Sequence, residues 1–308
     1  MAQSNMYNIN MTQYIKKNIR EASSEELREL QLKSLEILKY FKLFCAEHSL
    51  SFFLCGGCCI GAVRHNGFIP WDDDIDVFMP RPDYEKLCSL WPGHADIKSY
   101  MLCRTDSVTN YQHTDTSVVN INTTFINSHS TNLDIAHGVG IDVIPLDGYA
   151  PTKFRRFAQV LNAMLYSLFN AQRLPDHQGR FIRIMSGLIL KVFRNSTIRY
   201  RIWEKAEKRM SRYSFGDAEY ITELVTGLKY MRLKYPKDIF SDPVYQKFED
   251  TIMPVPAGYD QYLTMAFGEY MKFPDEKERI PKHCTAFYDL EEPYVKYRGI
   301  YYLTDKND

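Results

Sequence analysis

Four aspartates fall within five positions, Asp72, Asp73, Asp74 and Asp76, and a fifth, Asp142, stands in a separate apolar run far along the chain. Carboxylates this close repel one another unless a cation or solvent screens them, so the cluster points to a metal. Ile75, Val77 and Phe78 read as a β-strand entered from a loop at Pro70-Trp71. Alternation along a strand would put Asp74 and Asp76 on one face and Ile75 and Val77 on the other. Ile141, Val143 and Ile144 read as a second buried strand with Asp142 projecting from it. Where these strands are neighbours, Asp74, Asp76 and Asp142 converge on an oxygen-only site suited to Mg²⁺ or Mn²⁺. Such carboxylates can hold two ions about 3.5–4 Å apart, clamping the attacking and leaving oxygens of a phosphoryl displacement. Asp72 and Asp73 are expected to orient the loop or hold water at its margin. A calcium loop counted from Asp72 fails, because Val77 stands where it needs glycine and Asp83 where it needs glutamate.

Upstream, a strand-like run from Ser51 to Leu54 leads into Gly56-Gly57 and a helical segment from Cys58 to His65. Glycines there allow a tight turn and a close backbone approach to a ligand, and a helix start attracts anions. No Gly-Lys-Ser/Thr ending is present, which excludes a Walker loop. Gly56-Gly57 before a helix, Asp74-Ile75-Asp76 on a strand and Asp142 on a later strand follow the order of the DNA polymerase β-like nucleotidyltransferases. The longer block is more specific: Gly61-Ala62-Val63-Arg64-His65, then Gly67 through Asp76 without a break, then Arg81 and Asp83-Tyr84. With Ile141 to Gly148, Phe267 to Met271, Pro274 and His283, the chain resembles the LicD/fukutin branch of that superfamily. The likeness spans roughly Glu25 to Tyr294 and is thin between about Thr152 and Phe248. One departure is Cys58, where many superfamily members carry serine, so a hydroxyl contact to phosphate is lost and backbone N–H contacts remain.

The resemblance implies catalysis and metal binding at Asp74, Asp76 and Asp142, and substrate contacts from Gly56, Gly57, Arg64, His65, Trp71, Asp72, Asp73, Arg81 and His283. It implies a CDP-linked donor and a glycan or glycolipid acceptor, with phosphocholine or ribitol phosphate moved to a sugar hydroxyl and CMP released. Three other readings share some of these residues: a nucleotidyltransferase attacking the α-phosphorus, an Asp-x-Asp glycosyltransferase, and an inactive glycan-binding module. The third strand aspartate and the Gly-Gly turn speak against the last two.

The elements that must position these groups are partly legible. Ser23 to Glu47 carries Leu27, Leu30, Leu35, Leu38 and Phe41 at helical spacing behind a Ser23/Glu26 capping box. Residues 100–140 read as sheet edges and substrate loops, with strands at Ser117–Ile121 and Thr124–Ile126; His113, Asp115 and His137 are within reach of a substrate there, while each taken singly reads as a solvated loop residue. Thr152 to Tyr213 is helical and basic, with apolar runs at Val160–Phe169 and Ile184–Phe193. Such a region suits either an anionic membrane surface or helices packed on the core with solvated basic faces. Cys55, Cys58 and Cys59 form one C-x-x-C group without a second, and are expected as buried thiols rather than a zinc or redox site.

The expected class is therefore α+β: a nucleotidyltransferase-like core with a small mixed sheet flanked by helices, plus a helical C-terminal region. The divisions are an extension over 1–22, a catalytic core over 23–150 and a mainly helical region over 151–308. A chain of 308 residues, 45% hydrophobic, can bury a sizeable core. Zero formal net charge argues against nucleic acid as partner, since phosphate backbones demand a basic footprint. No signal-like segment is seen, so the expectation is a cytoplasmic enzyme at the inner face of the membrane.

Overall fold

The computed structural model describes residues 17–173 and 180–304. Most of the extension expected over 1–22, and the side chain of Arg180, lie outside the described residues. The elements in order are α1 (Ser24–Glu47), β1 (Phe53–Leu54), α2 (Gly56–His65), β2 (Asp76–Pro80), α3 (Arg81–His94), β3 (Tyr100–Cys103), β4 (Thr116–Asn120), β5 (Thr124–Asn127) and β6 (Val139–Gly148). There follow α4 (Lys153–Ala171), α5 (Arg180–Val192), α6 (Ser196–Met210), β7 (Tyr220–Glu223), β8 (Tyr235–Pro236), β9 (Pro243–Phe248), β10 (Thr251–Pro256), α7 (Tyr259–Phe267) and β11 (Thr285–Asp289).

The central sheet runs β1-β2-β6-β4-β3, with β7 on β6 and β8 on β7. β6 is its spine. One edge pairs with β2 in parallel, from Asp76↔Asp142 to Pro80↔Leu146. The other pairs with β4 antiparallel, Ser117 facing Asp142, and farther along with β7, Leu146 facing Glu223. The sheet is thus mixed and flanked by helices, the α+β arrangement expected. α1 starts at the expected capping box, formed in both directions between Ser23 and Glu26, and buries Leu27, Leu30, Leu38 and Phe41. One apolar core extends from Ile19 through the sheet to Tyr288, joining residues from both sides of position 150.

Two expectations about residues 100–140 change. β4 is an interior strand with all five residues buried, not a sheet edge, because β3 closes its far side. β5 leaves the main sheet to pair with β11, which brings the C-terminal part of the chain over the ends of β2 and β6. Helices fill the interval expected to be helical, but Arg156 is buried rather than solvated. Its guanidinium donates to Gln159 at 2.6 Å, to Thr222 at 3.0 Å and to the Met231 carbonyl, tying α4 to β7. Beyond Tyr213 the chain returns strands to the sheet and adds a β9–β10 hairpin. Among the described residues no helix is long and apolar enough to cross a membrane.

Candidate active site

The Gly-Gly turn comes first. Gly56 has φ +52, a left-handed conformation that other residues adopt at a cost, and a Cβ there would lie 3.6 Å from Asp76 Oδ2. A Cβ on Gly57 would run into the Asp72 carboxylate. Both glycines therefore let the α2 start approach the acidic cluster. α2 begins at Gly56, two residues earlier than expected, and the Gly56 N–H donates to the Tyr262 hydroxyl of α7 at 2.9 Å.

Asp76 opens β2, while Asp74 sits on the loop just before it, not within the strand. The ladder nonetheless extends to Ile75, whose carbonyl accepts from the Asp142 N–H at 2.8 Å. Asp76 and Asp142 face each other across the parallel pair. Asp142 accepts from the Ser117 hydroxyl at 2.5 Å. Burial raises the Asp76 carboxyl well above its ordinary range, and the charges of Asp74, Asp142, Asp115 and Asp72 add to this. Burial also lifts Asp142, Asp74 to about 6 and Asp72 to about 8.

Asp73 behaves oppositely. Burial works to raise it, but His283 and the backbone N–H groups of Lys282 and His283, each 3.2 Å away, hold it below the usual value. His283 Nδ1 lies 3.3 Å from Asp73 and 3.9 Å from Asp74. Burial alone would lower the imidazole; the neighbouring carboxylates overcome it and push it up to about 9.

Two cavities meet along this acidic seam. One, of about 370 Å³, is lined by Gly56, Gly57, Asp76, Glu223, Tyr230, Tyr262 and Phe267 among others. The other, of about 220 Å³, is lined by Tyr111, His113, Ser117, Phe125, Asn127 and Arg173 among others. Asp74, Asp115, Asp142 and His283 border both. Asp115 and Ser117 are two apart at the start of β4 and share the face toward Asp142. Asp115 thus lies within reach of a substrate rather than in solvent. It is held among carboxylates, with its own carboxyl raised by burial and by Asp142. His113 is half-buried and kept neutral, its pKa lowered to about 3 by burial first and by nearby cations. His137 is buried too, its Nε2 3.0 Å from the Leu133 carbonyl, so it is a structural residue away from both cavities.

Several other expected contacts go elsewhere. Arg81 is 7% exposed and forms a bidentate pair with Asp147 at 2.8 and 2.7 Å, with Glu207 at 3.3 Å. It sits at the far end of β2, so the structure gives it a role in joining α3, β6 and α6. Arg64 donates to the Tyr270 carbonyl at 2.7 Å and covers the Phe273 ring. His65 and Trp71 pack on the same ring, with centroids 5.6 and 6.1 Å away. These three brace the end of α2 and line neither cavity. Cys55, Cys58 and Cys59 are buried free thiols whose pKa values burial raises, as expected of core packing.

Residues 49–146 match the family described as the LicD/FKTN/FKRP nucleotidyltransferase domain, and that stretch contains the glycine turn and all three paired aspartates. The whole chain aligns more widely. It is 28% identical over 274 residues to lipopolysaccharide cholinephosphotransferase LicD of Haemophilus influenzae, covering 86% of this chain and 98% of that protein. These likenesses support the LicD/fukutin family for this chain. A second member-like match is an uncharacterised protein of Rickettsia prowazekii, 25% identical over 95 residues, or 27% of this chain and 36% of that one.

The site fits a hard divalent cation on its donor chemistry: buried, mutually repelling carboxylate oxygens, with His283 against Asp73 and Asp74. Asp73, Asp74 and His283 also present ligand atoms within 4.8 Å of one another. Asp73, however, already accepts two backbone N–H bonds and the imidazole, and a protonated His283 has no lone pair to give. The Asp73–His283 pair is therefore a neutral ion pair beside the carboxylates of Asp74, Asp76 and Asp142.

Proposed function

We propose that this chain is a metal-dependent transferase that moves a phospho-alcohol, phosphocholine, from a CDP-linked donor to a sugar hydroxyl of lipopolysaccharide or a related surface glycan. The relative from Haemophilus, alignable over nearly its whole length, supports the transferred group and the acceptor class. The observation that carries the chemistry is the parallel register of Asp76 against Asp142, with Asp74 and the Gly56-Gly57 turn bordering the same cavity.

Asp74, Asp76 and Asp142 would hold Mg²⁺ or Mn²⁺, which would supply charge neutralisation for the diphosphate and a more acidic acceptor hydroxyl. The α2 start offers its dipole to the donor phosphates. His283, kept charged by Asp73, borders the same cavity as the glycines and would bind a phosphoryl oxygen there. In the reaction the acceptor oxygen bonds to the phosphorus that bears the alcohol. The bond from that phosphorus to the CMP oxygen breaks, CMP leaves with the electron pair, and the hydroxyl proton passes to a carboxylate of the cluster.

Incubating the protein with CDP-choline, CDP-ribitol or CDP-glycerol, Mg²⁺ and lipopolysaccharide-derived oligosaccharide, and scoring CMP, tests this. Release of CMP with choline phosphate on the glycan is expected. A product carrying CMP itself would mean attack on the nucleotide's α-phosphorus and would overturn the reading.

The same reading extends to a membrane surface. Phe154, Phe157 and Leu161 of α4 and Ile184, Leu188 and Val192 of α5 form exposed apolar stripes, Phe154 being 81% and Val192 74% exposed. Lys153, Arg155, Lys191 and Arg194 flank them, exposed as well. Apolar stripes edged by cations suit an anionic bilayer, which is where a lipid-linked acceptor would be met.

A further inference from the structure

The smaller cavity holds polar groups that the chemistry above does not use. Asn127 Oδ1, at the end of β5, and Asp115 Oδ1, before β4, are both buried and without a protein hydrogen-bond donor. Both residues line the same 220 Å³ space. Buried oxygens of this kind are costly unless something donates to them, and two in one cavity call for a molecule with more than one O–H or N–H. The remaining walls are mixed. Ser117 and His113 are polar, while Tyr111, Phe125 and Val119 offer flat or branched apolar faces. Tyr111 and His113 lie with ring centroids 4.7 Å apart, and His129 lies 5.8 Å beyond His113 toward the exterior.

We propose that this cavity is the acceptor subsite: it takes a hydroxyl-rich sugar ring, with Asn127 and Asp115 accepting from hydroxyls that flank the one directed at Asp142. The assignment rests on the transferase reading above. It gives the two substrates opposite sides of the carboxylates, the nucleotide end on the glycine side with Tyr230, Tyr262 and Phe267, the sugar on the Asn127 side. The sides meet where Asp74, Asp142 and His283 border both spaces, the place at which an in-line transfer needs its two oxygens. Sugars use such a wall well, since ring hydroxyls satisfy buried acceptors while the ring's C–H face lies on an aromatic side chain.

The test uses the full chain with Mn²⁺ and a lipopolysaccharide-derived core oligosaccharide. Saturation-transfer NMR reads oligosaccharide binding, and steady-state rates give KM for oligosaccharide and for CDP-choline separately. Asn127→Ala is expected to weaken binding and raise the oligosaccharide KM about tenfold, the scale of one hydrogen bond to a buried acceptor. His129→Ala, an exposed position that leaves the strand pairing alone, is expected to weaken binding in the same sense. Asp76→Asn is expected to bind oligosaccharide as the wild type does, even without turnover. The NMR result therefore stands if the donor proves not to be CDP-linked. Unchanged oligosaccharide binding in both Asn127→Ala and His129→Ala would overturn the subsite. So would a rise in the donor KM with none in the acceptor KM.

Discussion

At the scale of single residues, the site combines groups that burial makes reluctant to ionise with one group that its neighbours hold ionised. Asp76 lies between Asp74 and Asp142, and all three carry raised pKa values because they are buried together. Asp74→Asn or Asp76→Asn is expected to lower turnover by about three orders of magnitude or more, since the charge that holds a cation is lost. The same change relieves repulsion, so the metal-free variant should melt no lower than the wild type in a calorimeter. Unimpaired CMP release by either variant contradicts the assignment. Arg81 predicts the reverse. Its guanidinium neutralises the wholly buried Asp147, so Arg81→Ala should cost about 3–5 kcal/mol of stability. Chemical denaturation checks this; a changed donor KM at full stability would instead restore Arg81 to the site.

At the scale of elements, the acidic centre exists because the first residue of β2, Asp76, faces Asp142 of the parallel β6 and a glycine turn comes up against them. Gly57→Ala tests that joint. The added methyl improves α2 as a helix by about 1 kcal/mol on intrinsic propensity but drives Asp72 away. The expected result is a weaker Mn²⁺ affinity by titration with helix content retained in circular dichroism. Much of this joint was legible in sequence, because Ile75, Val77, Ile141 and Val143 are strand formers around acids with no apolar reason to be there. The loops were less so. Asp115, Asn127 and His137 sit in a polar stretch whose composition says only that it is irregular, and the partners of Asn127 and His137, β11 and Tyr302, come from far along the chain. Arg81 misled because an arginine just past an aspartate-bearing strand looks like a phosphate ligand, whereas its partners Asp147 and Glu207 are set by tertiary packing alone. Arg64, His65 and Trp71 form part of a recognisable block for a similar reason: they brace α2 from behind.

At the scale of the whole molecule, the buried acids link stability to pH. Asp74 and Asp72 rise from an ordinary 3.8 to about 6 and about 8, and His283 from 6.5 to about 9. In each case the folded protein keeps a proton that the unfolded chain releases, so this stability is complete below the unfolded value and lost as pH climbs through the folded one. Metal-free Tm should therefore fall between about pH 4 and 9, and Mn²⁺ should raise it most at the upper end, where protons no longer compete. A Tm that rises across this range would refute the picture. The exposed stripes of α4 and α5 predict flotation with phosphatidylglycerol vesicles at low salt and its loss in a Phe157→Glu, Val192→Glu variant. Failure of the wild type to float would remove the membrane contact. One further consequence follows from where His283 sits. It arrives with the strand that also anchors Ile19, whose N–H donates to Thr285 at 2.8 Å. During synthesis, then, the aspartates leave the ribosome long before the imidazole that balances them. A nascent chain stopped short of that histidine still lacks the imidazole that pairs with Asp73.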